Sequence, residues 1–394
     1  MLEAPPLGEV FHGPASAQTR ALERTLRRTW IPLARSWRLT PRGIRLLKRV
    51  TDPSGRVPVL RGTRVVPARV GGRPAEWVLA PRALEQPGVS PHAAPATDAP
   101  ILLYLHGGGY VFGSPRTHRN LVSRLSHVSG LAALSLDYRL PPEATLPAPI
   151  EDALAAYAQL LAEGRSAERI VVAGDSAGGN LALALALHAV EARLPRPAGL
   201  VLLSPWADLT HSGESFTRNG LIDPFIPPVA LKRFAQVAAG GADPAGWRIS
   251  PLFAPEQLWR EAIPPLHIQV GSTELLLDDA RAIARRSHGT GLAAGAGADG
   301  AARKADGADS AAGADDALAR PAEMHVFERQ PHVVPLWAGT PEARTALQLI
   351  GQFASSVLAP ASSPAPPTID DAATAAELPP EADAPRSQTA PGDP

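Results

Sequence analysis

Residues 171–188 read VVAGDSAGGNLALALALH, placing one serine between two glycines where a strand-like run gives way to a helix-like one. Residues 169–173 form a short apolar run suited to a buried strand, and 177–190 are rich in Ala and Leu with the polar residues thinned out. Ser176 sits on the joint. Gly174 and Gly178 flank it at two residues either side, where a side chain would collide if the backbone turned sharply enough to push the serine outward. This is the G-x-S-x-G pattern of a nucleophile elbow, which needs a strand before it and a helix after it.

Outward from the elbow, strand-like and helix-like runs alternate. Strands are predicted at 101–105, 131–137, 169–173, 199–204, 266–270 and 323–328, with helices around Asn120 and at 149–163, after Ser176, at 278–287 and at 341–358. Two more strands are predicted at 64–70 and 76–80. Strands separated by helices imply an α/β fold, a mostly parallel sheet covered on both faces. Residues 1–55 contain two amphipathic helical stretches, with Leu22, Leu26, Trp30, Leu33 and Trp37 at helical spacing among arginines. A basic amphipathic helix can bind membranes, but the commoner explanation is a cap, so they read as an N-terminal cap segment on a catalytic domain spanning 56–358. Residues 208–247 exceed what one crossover helix needs and contain Phe216, Phe225, Ile226 and Phe234, so they read as a cap insertion. Residues 289–320 are dominated by Ala, Gly and Asp and cannot bury a core; they are expected to be a disordered loop at the sheet edge away from Ser176. Residues 359–394 read as a Pro-rich disordered tail.

Composition narrows the function classes. The 394 residues carry 38 Lys+Arg and 38 Asp+Glu, so no overall charge excess points to nucleic acid or an anionic surface. A neutral small-molecule substrate fits better. The chain has no cysteine, which excludes disulfides, a cysteine nucleophile and thiolate metal sites. No apolar run approaches the ~18 to 20 residues that span a bilayer, and MLEAPPLGEVFHG lacks the regions of a signal peptide. A cytoplasmic chain without stable membrane insertion is therefore expected, and a homodimer is allowed.

A serine hydroxyl needs a base, a group to orient that base, and donors for the oxyanion. HGGGYVFG, residues 106–113, follows the strand 101–105, and its glycines let bare N–H groups point into a site. Gly107 and Gly108, with the N–H of Ala177, are the expected oxyanion donors. The base should come last in chain order. Of 11 histidines, His332 in ERQPHVVPLW lies on a loop just after the last predicted strand. His325 lies within that strand and reads as packed, His106 as a brace for the oxyanion loop, and His118, His127, His188 and His267 as surface or packing residues. The acid should follow the strand LHIQV, where the loop reads GSTELLLDDA. Glu274 is the first carboxylate there. Asp278 and Asp279 read as helix N-terminal residues, with Asp278 the alternative acid.

With these residues assembled, the chain resembles the hormone-sensitive-lipase-like branch of the α/β-hydrolases, bacterial carboxylesterases with an HGGG loop and a GDSAGG elbow. The likeness runs from about residue 100 to 358 without the Ala/Gly loop, and includes DYRLPPE, LLSPWADLT and SPLF. It implies an α/β-hydrolase fold with a helical cap, Ser176 as nucleophile, His332 as base, and the Gly107, Gly108 and Ala177 amides as oxyanion donors. Three departures stand out: Glu274 where Asp is more usual, RLPPE for RLAPE, and Val333 after the base. The expected activity is hydrolysis of short to medium acyl esters through an acyl-enzyme, with no cofactor and no metal. A lactonase or amidase on the same triad is the near alternative, and a non-catalytic small-molecule receptor the distant one.

Overall fold

The computed structural model describes residues 8–51, 57–289 and 322–359. Apart from Gly289 and Ala359, the Ala/Gly segment and the Pro-rich tail lie outside the described residues. Nine strands make one sheet: β1 (Glu9–His12), β2 (Arg64–Val70), β3 (Arg73–Leu79), β4 (Ile101–Leu105), β5 (Ala132–Leu136), β6 (Ile170–Asp175), β7 (Gly199–Leu203), β8 (Leu266–Gly271) and β9 (Glu323–Phe327). They lie in the order β1-β9-β8-β7-β6-β4-β5-β3-β2. β3 runs antiparallel to β2 and β5, and every other pairing is parallel.

The helices are α1 (Ala17–Ser36), α2 (Pro41–Thr51), α3 (Pro81–Leu84), α4 (Pro115–Ser129), α5 (Ala148–Ala162), α6 (Ala177–Glu191), α7 (Glu214–Arg218), α8 (Pro228–Ala239), α9 (Glu256–Ala262), α10 (Leu277–Gly289) and α11 (Pro341–Leu358). Apolar residues of α5, α6, α9 and α10 cover one face of the sheet. Those of α4 and α11 cover the other. Every residue of β4 to β8 is buried, which is why these strands read as continuous apolar runs rather than alternating ones. No described helix is long and apolar enough to cross a membrane. The predicted strands and helices are found within a few residues of their expected limits, and β1 is an addition: four residues that pair parallel to β9 at the sheet edge.

The elbow forms because two backbones come unusually close. Ser176 links β6 to α6 with φ 56° and ψ −119°, a conformation costing a residue with a Cβ about 1–3 kcal/mol. Its N–H donates to the Leu203 carbonyl at 2.8 Å, and its own carbonyl accepts from Gly179, Asn180 and Trp206, so sheet and helix together hold the strained residue. A Cβ on Gly174 would lie 2.1 Å from the Gly178 oxygen, and one on Gly178 1.9 Å from the Leu105 oxygen. Neither backbone can yield without separating α6 from the strand ends. Gly178→Ala is expected to lower stability by about 3 kcal/mol or more, at or beyond the upper range for overpacking. Gly339→Ala, where a Cβ meets nothing within 4 Å, should stay within about 0.5 kcal/mol in the same thermal unfolding measurement.

Candidate active site

The loops leaving the carboxyl ends of β4, β6, β7, β8 and β9 gather on one edge of the sheet. Glu274, after β8, is fully buried; His332, after β9, is nearly so. His332 Nδ1 lies 2.6 Å from Glu274 Oε2. The other carboxylate oxygen, Oε1, accepts the Gly271 N–H at 2.6 Å and the Ser204 hydroxyl at 2.8 Å. Ser204 Oγ in turn accepts the Val333 N–H at 3.0 Å, so one hydroxyl after β7 fixes both the acid loop and the base loop. Nε2 of His332 is buried and has no protein partner among the described residues, and His332 and Ser176 line the same cavity. Burial alone would depress the His332 imidazolium, but the Glu274 carboxylate beside it outweighs burial and holds its pKa above the ordinary histidine value.

Asp278 is placed elsewhere. Its carboxylate accepts the Ser215 N–H at 2.6 Å and lies 3.4 Å from Arg218, tying α10 to α7. Asp279 accepts the N–H groups of Ala207 and Asp208. A carboxylate that sequence reasoning missed, Asp223, accepts the N–H groups of Phe225, Ile226 and Leu275, and so joins the segment before α8 to the acid loop. Burial and the nearby Glu274 charge push its pKa up to about 6. The only local signal for it was the Asp-Pro step, a turn-forming pair.

The expected oxyanion loop needs a correction of one residue. Gly107 does not offer a free amide, because its N–H donates to Asp175 Oδ1 at 2.8 Å. A Cβ on Gly107 would lie 2.1 Å from Asp175 Oδ2, so the glycine serves this close approach. Gly108 and Gly109 are the glycines of the HGGG run that line the cavity beside Ser176. Among the described residues their amides, like that of Ala177 at the start of α6, donate to no protein group.

Asp175 is itself held by the Tyr104 hydroxyl and by His118 Nε2 at 3.5 Å. Burial disfavours the Asp175 charge, but His118 and Tyr104 hold its pKa below the usual carboxylate value. His118, read from sequence as surface or packing, is thus a member of the cavity wall. His106 stacks on Tyr138 at 4.2 Å and braces the loop; burial, with His118 near, pushes it down to about 3.

The cavity measures about 960 Å³ with its open mouth. Trp30, Leu33, Trp37 and Leu47 from the N-terminal segment and Phe225, Ile226, Leu231 and Phe234 from the segment around α8 supply much of its apolar wall. Trp30 stacks on Phe225 at 5.4 Å and donates its indole N–H to the Phe225 carbonyl at 2.7 Å, while Arg233 reaches the Arg35 and Trp37 carbonyls. Phe216, another aromatic of the 208–247 segment, instead packs against His211.

Away from the cavity, His267, Glu323 and His325 bring one donor atom each within 4.8 Å of one another. Gln269 Nε2 donates to His267 Nε2 at 2.8 Å, which leaves the ring proton on Nδ1 facing Glu323, where an ion would need a lone pair. The cluster closes on itself without a cation. For the cavity, the geometry separates the two acid candidates: Glu274→Gln should lower kcat by about a thousandfold or more, as for loss of a triad carboxylate, and Asp278→Asn by far less. Steady-state kinetics on a dissolved aryl ester would check the ranking, and the reverse order would assign the acid to Asp278.

Known proteins resemble this chain in sequence and in fold. A family model described as alpha/beta hydrolase fold matches residues 102–296. The chain is 43% identical to an acetyl-hydrolase of Streptomyces hygroscopicus over 54% of its own length and 66% of that protein. It is 34% identical to an ethyl acetate hydrolase of Pseudomonas putida over 45% of its length and 60% of that protein. The crystal structure of an esterase from the bacterial hormone-sensitive lipase family superposes with a TM-score of 0.70 at 34% identity, covering 88% of this chain and all of the other. The likeness thus extends over the whole length of a related esterase, and the chain belongs to the hormone-sensitive-lipase-like branch of the α/β-hydrolase carboxylesterases.

Proposed function

We propose that this chain hydrolyses dissolved carboxylic esters of short to medium acyl length through an acyl-enzyme on Ser176. The observation that carries the reading is the state of His332: one ring nitrogen is taken by a buried carboxylate, and the other is unpaired in the cavity that holds a serine on a strained elbow. Glu274 fixes the proton on Nδ1, which leaves Nε2 as the acceptor. As Ser176 Oγ attacks the ester carbonyl, its proton passes to Nε2 and the carbonyl oxygen becomes an oxyanion. The Gly108, Gly109 and Ala177 amides are preorganised for that charge, and the amino end of α6 adds its dipole. The imidazolium then gives the proton to the departing alkoxide, leaving the acyl group on Ser176. Water repeats the steps in reverse order, releasing the acid and restoring the hydroxyl.

An apolar, bounded cavity supports the acyl preference, and so do relatives named for acetyl and ethyl acetate substrates. A series of p-nitrophenyl esters should peak between butanoate and hexanoate and fall by about tenfold or more at dodecanoate. Faster turnover of lactones or anilides than of any ester would favour the lactonase or amidase alternative. The pH dependence has a definite sign. Only neutral His332 accepts the serine proton, and Glu274 stabilises the charged form, so kcat/KM should rise with pH through a limb above 6.5. In Glu274→Gln the residual activity should titrate at lower pH, since the stabilising charge is gone. An unmoved limb in that variant would contradict the assignment.

A further inference from the structure

The overall charge balance conceals a local imbalance. Residues 17–51, which make α1 and α2, contain ten Lys or Arg and one acid, Glu23, in a chain with 38 of each sign. Glu23 is not available to the rest, because it is buried between Arg27 and Arg329. Beyond Pro41 at its first position, the exposed positions of α2 are Arg42, Arg45, Leu46, Arg49 and Val50, which fall at the i, i+3, i+4, i+7, i+8 spacing of a single helix face. Leu46 and Val50 are 53% and 50% exposed, and the three arginines make no ion pair among the described residues. The opposite side of the helix is already used: Ile44 and Leu47 are buried, and Leu47 lines the active-site cavity. Beside it, Leu33 of α1 is both 42% exposed and part of the cavity wall.

We propose that the outer face of α2 docks on an anionic lipid surface. A polyanion such as nucleic acid would satisfy the arginines alone. The apolar side chains interleaved with them have no role against phosphates, whereas at a bilayer Leu and Val enter the headgroup boundary while arginines meet the anionic lipids. The same helix contributes Leu47 to the cavity wall, so docking brings the cavity to the layer into which medium-chain esters partition from solution. Membrane contact of this kind is peripheral and requires no spanning segment.

The test is sedimentation of the full chain with vesicles of phosphatidylcholine, alone or with one third phosphatidylglycerol. Binding to the anionic vesicles in low salt, none to pure phosphatidylcholine, and loss at high salt are expected. Each basic residue near such a surface contributes roughly fivefold, so Arg42→Glu/Arg45→Glu/Arg49→Glu should weaken binding by at least about a hundredfold. Leu46→Ser/Val50→Ser should weaken it by about tenfold or more. Both variants should keep wild-type turnover of a dissolved butanoate ester, which shows that they are folded. No binding by the wild type, equal binding to both vesicle types, or full affinity in the Leu46→Ser/Val50→Ser variant would overturn the proposal, the last by reducing the face to a general polyanion site.

Discussion

The site depends on one close approach. Gly178 lets α6 start against the Leu105 carbonyl at the end of β4, and that contact is what forces Ser176 into its positive-φ conformation between strand and helix. The strain is sustained because the central sheet and α6 are almost wholly buried, with bonds from Ser176 to β7 and the segment after it. With the helix so placed, its first free amide, Ala177, points from the same turn that presents the hydroxyl. The outward-facing hydroxyl and the free amide beside it are consequences of a single packing constraint.

Two buried carboxylates then divide the polar work. Asp175, one residue before Ser176, spends its charge on Gly107, Tyr104 and His118, which locks the glycine loop so that the next two amides are left over for the cavity. Glu274 spends its charge on His332, Ser204 and Gly271. Each is expensive to bury and each is fully partnered, so the network has little freedom to relax. The extra methylene of Glu274 relative to an aspartate is accommodated within this network: with both carboxylate oxygens bonded, the longer side chain still reaches Nδ1 at 2.6 Å.

Much of this was legible in the sequence because it is local. The apolar strands, the glycines at fixed offsets around Ser176, and the positions of Glu274 and His332 after strands all follow from short-range pattern and chain order. What was missed is pairing across long separations. Which of three consecutive glycines has a free amide is decided by Asp175, 68 positions away. His118 and Asp223 acquire their places only when α4 and the segment before α8 fold over the strand ends. β1 is four residues long, and its partner strand β9 begins more than 300 positions later, so nothing in its own periodicity marks it as part of the sheet. Phe216 and Phe225 look alike in composition; the stacking of Phe225 on Trp30 selects one of them for the cavity.

The central claim is that the strained residue on the elbow is the reacting group. A fluorophosphonate reacts covalently only with a serine whose proton has an acceptor and whose oxyanion has donors, so the site of modification reads out the whole arrangement. Intact-mass and peptide-mapping mass spectrometry of the labelled chain should find one adduct, on the peptide that carries Ser176, and none in a folded Ser176→Ala variant. An adduct on another serine, or undiminished labelling and ester turnover in that variant, would contradict the account.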